Sequence, residues 1–333
     1  MKTPTTSVSN LAARAGVSPA TVSIVLNNHP LAKRVAAKTR EKILALAKEM
    51  NYRPNYIARA MRQQSTHTIA FICGRLNSPF YAELADDLAI VAEEHGYHLL
   101  VQTTSWDAAK ELNALEMIAS RMVDGIVLIS GIFPSQADKV KAICPPGVPL
   151  VLLDQRDEKE ISTVCFDLEP GMEELFRCMT ERGFRQIAMA DDRRFQPKKN
   201  AYLNVCKKFS ISPEFFDFIY WDSTSIERCA QQIIQRRPEA LVIASDYVAA
   251  HLISLLGCSG IRVPQDISIA SIDGTRWSEL YNPPLTAICQ DTRKMAQAAI
   301  EEILRCKEDK EIQARSVVIP TGLRLLASVG FQA

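Results

Sequence analysis

No apolar stretch of this 333-residue chain approaches the roughly 18 residues a membrane-spanning helix needs, so no membrane partner is expected. The start, Met1-Lys2-Thr3-Pro4-Thr5-Thr6, has no apolar h-region behind it, and no signal peptide is expected. The nine cysteines lie at least 13 positions apart, which leaves no Cys-x-x-Cys for a zinc ribbon or a redox pair. They read as buried free thiols in a reducing cytoplasm. The five histidines are unclustered, so a metal site lacks its ligand spacing. Only 13 glycines occur, and none builds G-x-G-x-x-G or G-x-x-x-x-G-K-[ST]. That absence argues against a nucleotide-dependent enzyme, because such a loop is what cradles the phosphates. No motif places a Ser/His/Asp set either. No cofactor and no catalytic residues are expected.

Acids are scarce in one place. Residues 1–66 hold eleven Lys and Arg but only Glu41 and Glu49, a net charge of +9. The remaining residues carry 28 basic and 36 acidic side chains, a net charge of −8. The overall +1 hides a basic head on an acidic body, and a basic head suits a polyanion such as nucleic acid. A solvated basic face would look the same by charge alone.

The head reads as short helices. Ser7 can cap a first helix that Gly16 ends near Ala15. Ser18 can cap a second, with Pro19 in its first turn, where the missing N–H costs nothing. That helix runs to about Asn27. Ile43, Leu46, Ala47 and Met50 give a third the i, i+3, i+4, i+7 spacing of one apolar face. Asn55 can cap a short fourth segment, Tyr56 to Gln63. Two short helices about a tight turn make a helix-turn-helix, with Leu11, Val17, Val22 and Leu26 as a mini-core. Ser18, Thr21, Ser23 and Asn27 offer short polar side chains suited to phosphates. A small helical bundle that binds protein would use the same pattern.

From residue 67 strands and helices alternate, with ten strand-like runs between Thr68 and Cys289. The rhythm implies an α/β body of parallel sheets covered by helices. Ten strands are too many for one small sheet, so two lobes with a cleft between them are expected. Ligands in such sheets sit at the carboxyl ends of strands.

Six strings now point together: L-A-A-R-A-G-V-S-P-A-T-V-S-I-V-L-N-N at 11–28, Y-R-P-N-Y-I-A-R-A-M-R at 52–62, N-S-P-F-Y-A-E-L at 77–84, M-V-D-G-I-V-L at 122–128, V-P-Q-D-I-S-I at 263–269 and N-P-P-L-T-A-I at 282–288. In this order they resemble the LacI/GalR transcriptional regulators. The resemblance implies a small all-α helix-turn-helix domain (1–52), a hinge helix and linker (53–66), and a two-lobed body like the type I periplasmic binding proteins (67–333). The N-lobe would take about 67–167 and 290–320, the C-lobe about 168–289 and 321–333. It also implies a repressor whose grip on a near-palindromic double-stranded operator is controlled by a small-molecule effector. With no heptad tail at the C-terminus, a homodimer is expected.

Roles follow by position. Pro19, Ala20 and Ile24 stand where side chains of the family read base edges. All three are apolar here and can touch only a thymine methyl. Thr21, Ser23 and Asn27 match phosphate-contacting positions, which set register. Asn55 and Arg59 fall in the hinge region. Met61 matches a hinge residue that wedges into a base step, although on its own it would read as a core methionine. The stretch 28–36 is about three residues longer than usual.

In the body, Phe80 and Tyr81 match a cleft-facing position. Asp154 and Asp273 end strands, and Asp246 follows one. Lys198 stands where an Arg is usual and lacks its planar fork. Trp277 and Trp221 could stack on a sugar ring, with Trp106 a weaker candidate. Aromatics with carboxylates suggest a carbohydrate effector. The alternative, an exported sugar-binding protein, would need a signal peptide and would not need the basic head.

Overall fold

The computed structural model describes residues 7–26, 30–52, 65–120, 123–155, 158–192, 197–309 and 313–330. The chain forms two compact units, Met1–Thr66 and His67–Ala333.

In the first unit, α1 (Val8–Ala15) begins because Ser7 accepts the Asn10 N–H at 3.2 Å. It ends because Gly16 turns left-handed at φ 74° and returns its N–H to Ala12. Helix α2 (Pro19–Leu26) starts where Ser18 Oγ accepts the Thr21 N–H at 3.2 Å. A 3-10 turn, Pro30–Arg34, takes up much of the long connection. Helix α3 (Ala37–Glu49) then starts without a side-chain cap. Leu11, Val22 and Ile43 are fully buried between the three helices. Val17, Leu26, Leu46, Met50 and Tyr52 close around them. Lys42 donates to the Ala15 carbonyl at 3.0 Å, a cation placed at the negative end of α1.

The second unit holds two six-stranded sheets. The first orders β11-β5-β4-β3-β1-β2 and is parallel throughout: β1 (Thr68–Cys73), β2 (His98–Thr103), β3 (Gly125–Leu128), β4 (Leu150–Leu153), β5 (Ser162–Asp167) and β11 (Ser316–Pro320). The second orders β12-β10-β9-β8-β6-β7: β6 (Ile187–Asp192), β7 (Phe215–Phe218), β8 (Ala240–Ile243), β9 (Ser268–Asp273), β10 (Thr286–Cys289) and the antiparallel β12 (Gly322–Arg324).

Among the described residues, helices α4 (Pro79–Glu94), α5 (Ala108–Ala119), α6 (Ala137–Ile143), α7 (Glu169–Glu181), α8 (Pro197–Phe209), α9 (Ser223–Arg236), α10 (Asp246–Cys258) and α11 (Thr292–Glu308) cover the sheets. Their apolar faces are what the sheets bury: Leu84 and Leu88 on α4, and Met172, Leu175, Phe176 and Met179 on α7, have no exposed surface. Burying one such side chain stabilises the fold by about 1.5–3 kcal/mol. Among the described residues no helix is long and apolar enough to cross a membrane.

The chain passes between the sheets three times, after β5, β10 and β11. Gly171 lies where these passages meet: a Cβ there would stand 2.6 Å from Ile288 and 2.8 Å from Thr321 Oγ1. Thr321 joins two passages, donating its N–H to Asp167 O at 3.0 Å and accepting from the Gly171 N–H at 3.2 Å.

Two strands escape the sequence pattern. β11 is an edge strand that alternates exposed with part-buried and buried residues and ends in Pro320, so only the short run Val317–Ile319 marks it. β12 has three residues and exists because β10 offers it an edge. All nine cysteines are free, but only Cys73, Cys165, Cys206 and Cys229 are buried, and Cys258 is exposed.

Candidate functional sites

In the head, α2 turns a mixed polar and apolar face outward. Ser18, Pro19 and Ala20 are exposed, and Thr21, Ser23 and Ile24 are half-exposed, while Val22 and Val25 turn inward. Ile24 is absent from the apolar cluster that Val22 enters, so the outer face of α2 carries an isoleucine with no core task. Asn27, Asn55, Arg59 and Met61 lie outside the described residues.

The body builds its site from strand ends of both lobes. Lys198, in the first turn of α8, pairs with Asp273 at the end of β9 at 3.0 Å. It also donates to the Ala244 carbonyl, just past β8. Asp191, near the end of β6, and Asp154, just past β4 in the other lobe, are further charge neighbours of this ammonium. The three carboxylates keep the Lys198 ammonium charged, its proton affinity raised although burial opposes it. Burial pushes Asp154 up to about 6 and Asp191 up to about 7, with Lys198 opposing both shifts. Burial and the nearby Asp154 and Asp273 hold the Tyr81 hydroxyl well above its ordinary range.

Aromatic rings wall the site. Phe80 is buried behind Tyr81, edge-on to it at 5.4 Å and to Phe166 at 6.4 Å. Tyr81 meets Trp106 at 5.5 Å. From the C-lobe, Tyr220 donates its hydroxyl to Ala244 O at 3.2 Å, and Trp221 stacks tilted on Tyr247 at 4.9 Å. A pocket of about 250 Å³ opens between the lobes beside them, lined by Arg75, Asn77, Trp221, Ser223, Tyr247 and His251.

Two of the expected contacts stand apart from this cluster. Asp246 has no exposed surface, and its oxygens accept from Ser271 Oγ, Thr275 N (2.7 Å) and Thr275 Oγ1 (2.6 Å). Its carboxylate is saturated by its own lobe, where it holds the turn that begins at Asp273 (φ 126°) and Gly274 (φ 67°). Trp277 is 54% exposed on a short 3-10 turn and makes no ring contact among the described residues. Asp191, Tyr220 and Gln290 are not among the residues expected from the sequence. Asp191 does carry a sequence signal, since it lies at the carboxyl end of a strand, Ile187–Asp192, much as Asp154 and Asp273 do. Among the described residues no group of three His, Cys, Asp or Glu side chains could hold a metal ion.

Trp106 has room only because residue 74 lacks a side chain: a Cβ at Gly74 would fall inside the indole. Gly74→Ala should therefore displace Trp106 and destabilise the body by roughly 1–3 kcal/mol, as overpacking does. A lowered Tm with altered tryptophan emission is the expected result, and an unchanged Tm would refute the packing role.

The desolvated carboxylates also set a pH dependence. Between about pH 4 and 7 the unfolded chain releases protons that folded Asp154 and Asp191 retain. Stability from these groups therefore falls as pH rises through that window. Asp191 faces Lys198, Lys199 and Asp192 among the described residues. Asp191→Asn should raise stability at pH 8 by about 1–3 kcal/mol, since each pKa unit is worth about 1.4 kcal/mol, and should change little at pH 4. Thermal melts at the two pH values check this; equal shifts at both would contradict it.

Comparison with known proteins gives a consistent result. Residues 7–55 match the profile of bacterial regulatory proteins of the lacI family, and residues 176–329 match a periplasmic binding protein-like domain. The chain is 28% identical over 324 residues to the ribose operon repressor of Haemophilus influenzae, covering 94% of this chain and 95% of that one. It is 28% identical over 320 residues to the HTH-type transcriptional repressor PurR of Vibrio cholerae, covering 92% and 93%. A crystal structure of the lac repressor dimer bound to operator and the anti-inducer ONPF superposes with a TM-score of 0.84 at 25% identity, over 97% of this chain and 98% of that one.

Proposed function

We propose that the chain, which matches the lacI family of bacterial regulatory proteins over residues 7–55, is a transcriptional repressor whose operator affinity is set by a small molecule held between its lobes. The observation that carries this reading is the meeting of both lobes' strand ends around Lys198, in a chain whose head exposes the outer face of α2. A ligand bridging Asp154 of one lobe to Lys198 and Asp273 of the other favours one lobe arrangement. It changes DNA affinity because it binds that arrangement better than the other. The aromatic walls, the carboxylates and the ribose operon repressor among the relatives support a sugar or sugar derivative as effector.

The proposed working form is a homodimer in the cytoplasm without catalytic activity. Two heads fit a near-palindromic site because two-fold protein symmetry mirrors operator symmetry. Ser18, Thr21, Ser23 and Asn27 take phosphates, and Pro19, Ala20 and Ile24 touch thymine methyls. The hinge at 53–66, with Asn55 and Arg59, carries Met61 as a wedge into the minor groove. The body from 67 onward takes the effector through Tyr81 as well as the charged groups, with Phe80 packed behind that ring.

Met61→Ala is expected to weaken operator binding about tenfold or more, since the unstacking wedge is gone. Fluorescence anisotropy on an operator duplex reads the loss, and a thermal-shift titration reads effector binding. Equal loss of both would mean misfolding and would remove the wedge role.

A further inference from the structure

The amino ends of the N-lobe strands, opposite the cleft, hold a charged cluster of their own. Asp124 stands directly before β3, inside the string M-V-D-G-I-V-L, and takes no part in the cleft. Its carboxylate is only 6% exposed. Oδ2 accepts the His67 N–H at 2.8 Å and meets the Lys307 ammonium at 3.1 Å. Lys307, in the last turn of α11, also donates to the Tyr97 hydroxyl at 3.0 Å and lies over that ring at 5.1 Å. The His67 ring tilts against the same tyrosine at 5.6 Å.

His67 is the residue at which the chain enters the body, since the head-side unit ends at Thr66. Its backbone is left-handed at φ 48°, a conformation uncommon outside glycine. Both of its backbone polar groups are held. The carbonyl accepts the His98 N–H at 2.8 Å, and the N–H goes to Asp124. The first bond continues the pairing of β1 with β2; the second depends on one side chain. That side chain is ionised and clamped by Lys307, and a bond to a fixed carboxylate is stronger than one between neutral groups. The direction in which the chain leaves the body is therefore set by β1, β2, α11 and Asp124 together.

That direction bears on DNA. A dimeric reader must set two heads on half-sites about one helical turn, roughly 34 Å, or a multiple of it apart. Heads that leave the body from a loose corner sample many spacings, and more freedom is lost when one spacing is selected. We propose that Asp124, clamped by Lys307, is a positioning residue for operator binding, acting through His67 on where each head leaves the body. This rests on the reading of the chain as a dimeric DNA-binding repressor.

The test uses the full-length protein and a pool of duplexes with random half-sites and spacers of varied length. The unaltered protein selects its duplex from the pool, and anisotropy then compares that duplex with a scrambled one. Asp124→Ala should bind the selected duplex about tenfold or more weakly, as expected for losing a hydrogen bond to a charged group. Binding to the scrambled duplex should stay within about twofold, because it depends on the charge of the heads. The variant should also accept spacers about one or two base pairs longer or shorter, which the unaltered protein rejects. Asp124→Asn keeps an acceptor oxygen for the His67 N–H and should recover part of the loss. Lys307→Met should move specific affinity the same way and carries the test if Asp124→Ala folds poorly. No loss on the selected duplex, equal loss on both duplexes or an unchanged spacer preference would overturn the inference and leave the DNA reading standing. Failure of the unaltered protein to select any duplex would overturn the DNA reading, and the inference with it.

Discussion

Raising salt from 50 to 200 mM should release the full-length protein from an operator duplex with an affinity loss of about a thousandfold or more. The head carries a net charge of +9, and a dimer presents it twice. A protein that neutralises six to ten phosphates loses about 10³–10⁵ in affinity over this range, because each neutralised phosphate frees condensed counterions. The apolar outer face of α2 makes the expectation sharper. Pro19, Ala20 and Ile24 cannot form bidentate bonds to bases, so phosphate contacts must hold most of the complex. Anisotropy titrations at four salt concentrations give the slope of log K against log salt. A flat line would defeat the reading of the head as a DNA-binding surface.

Asp273→Ala is the second large effect. It removes the partner that Lys198 meets at 3.0 Å and leaves that ammonium half-buried beside Asp154 and Asp191. Truncating a buried, hydrogen-bonded carboxylate that meets the ligand costs about 2–5 kcal/mol in binding. Effector affinity should fall about 100-fold, which is about 2.7 kcal/mol. Operator release by effector should then require correspondingly more ligand. Asp273→Asn keeps an acceptor oxygen without the charge and should fall between. A calorimetric titration of the three proteins with one ligand checks the order; equal affinity for all three would remove Asp273 from the site.

The helices of the head were readable from a few residues. Ser7, Gly16 and Ser18 act on backbone groups within three or four positions, so their effects stay local. Central strands were readable for a related reason. A strand buried on both faces, such as β1, must be a continuous apolar run. β12 was not, because three residues become a strand only when another strand offers an edge. The long connection before α3 showed its length in the sequence, but the 3-10 turn that takes it up did not.

The sequence by itself determined the division of charge, the order of elements and the family that the chain resembles. Each of these resides in composition, short-range periodicity or ordered motifs. Which acids serve the cleft was decided only by tertiary structure. Asp154, Asp191, Asp246 and Asp273 all stand at or just after a strand end, and nothing within four residues separates them. Asp246 is saturated by Ser271 and Thr275, 25 and 29 positions away, whereas Asp191 keeps a buried oxygen with no donor. The difference is one of solvation and partner supply, and both depend on groups that meet only when the lobes fold.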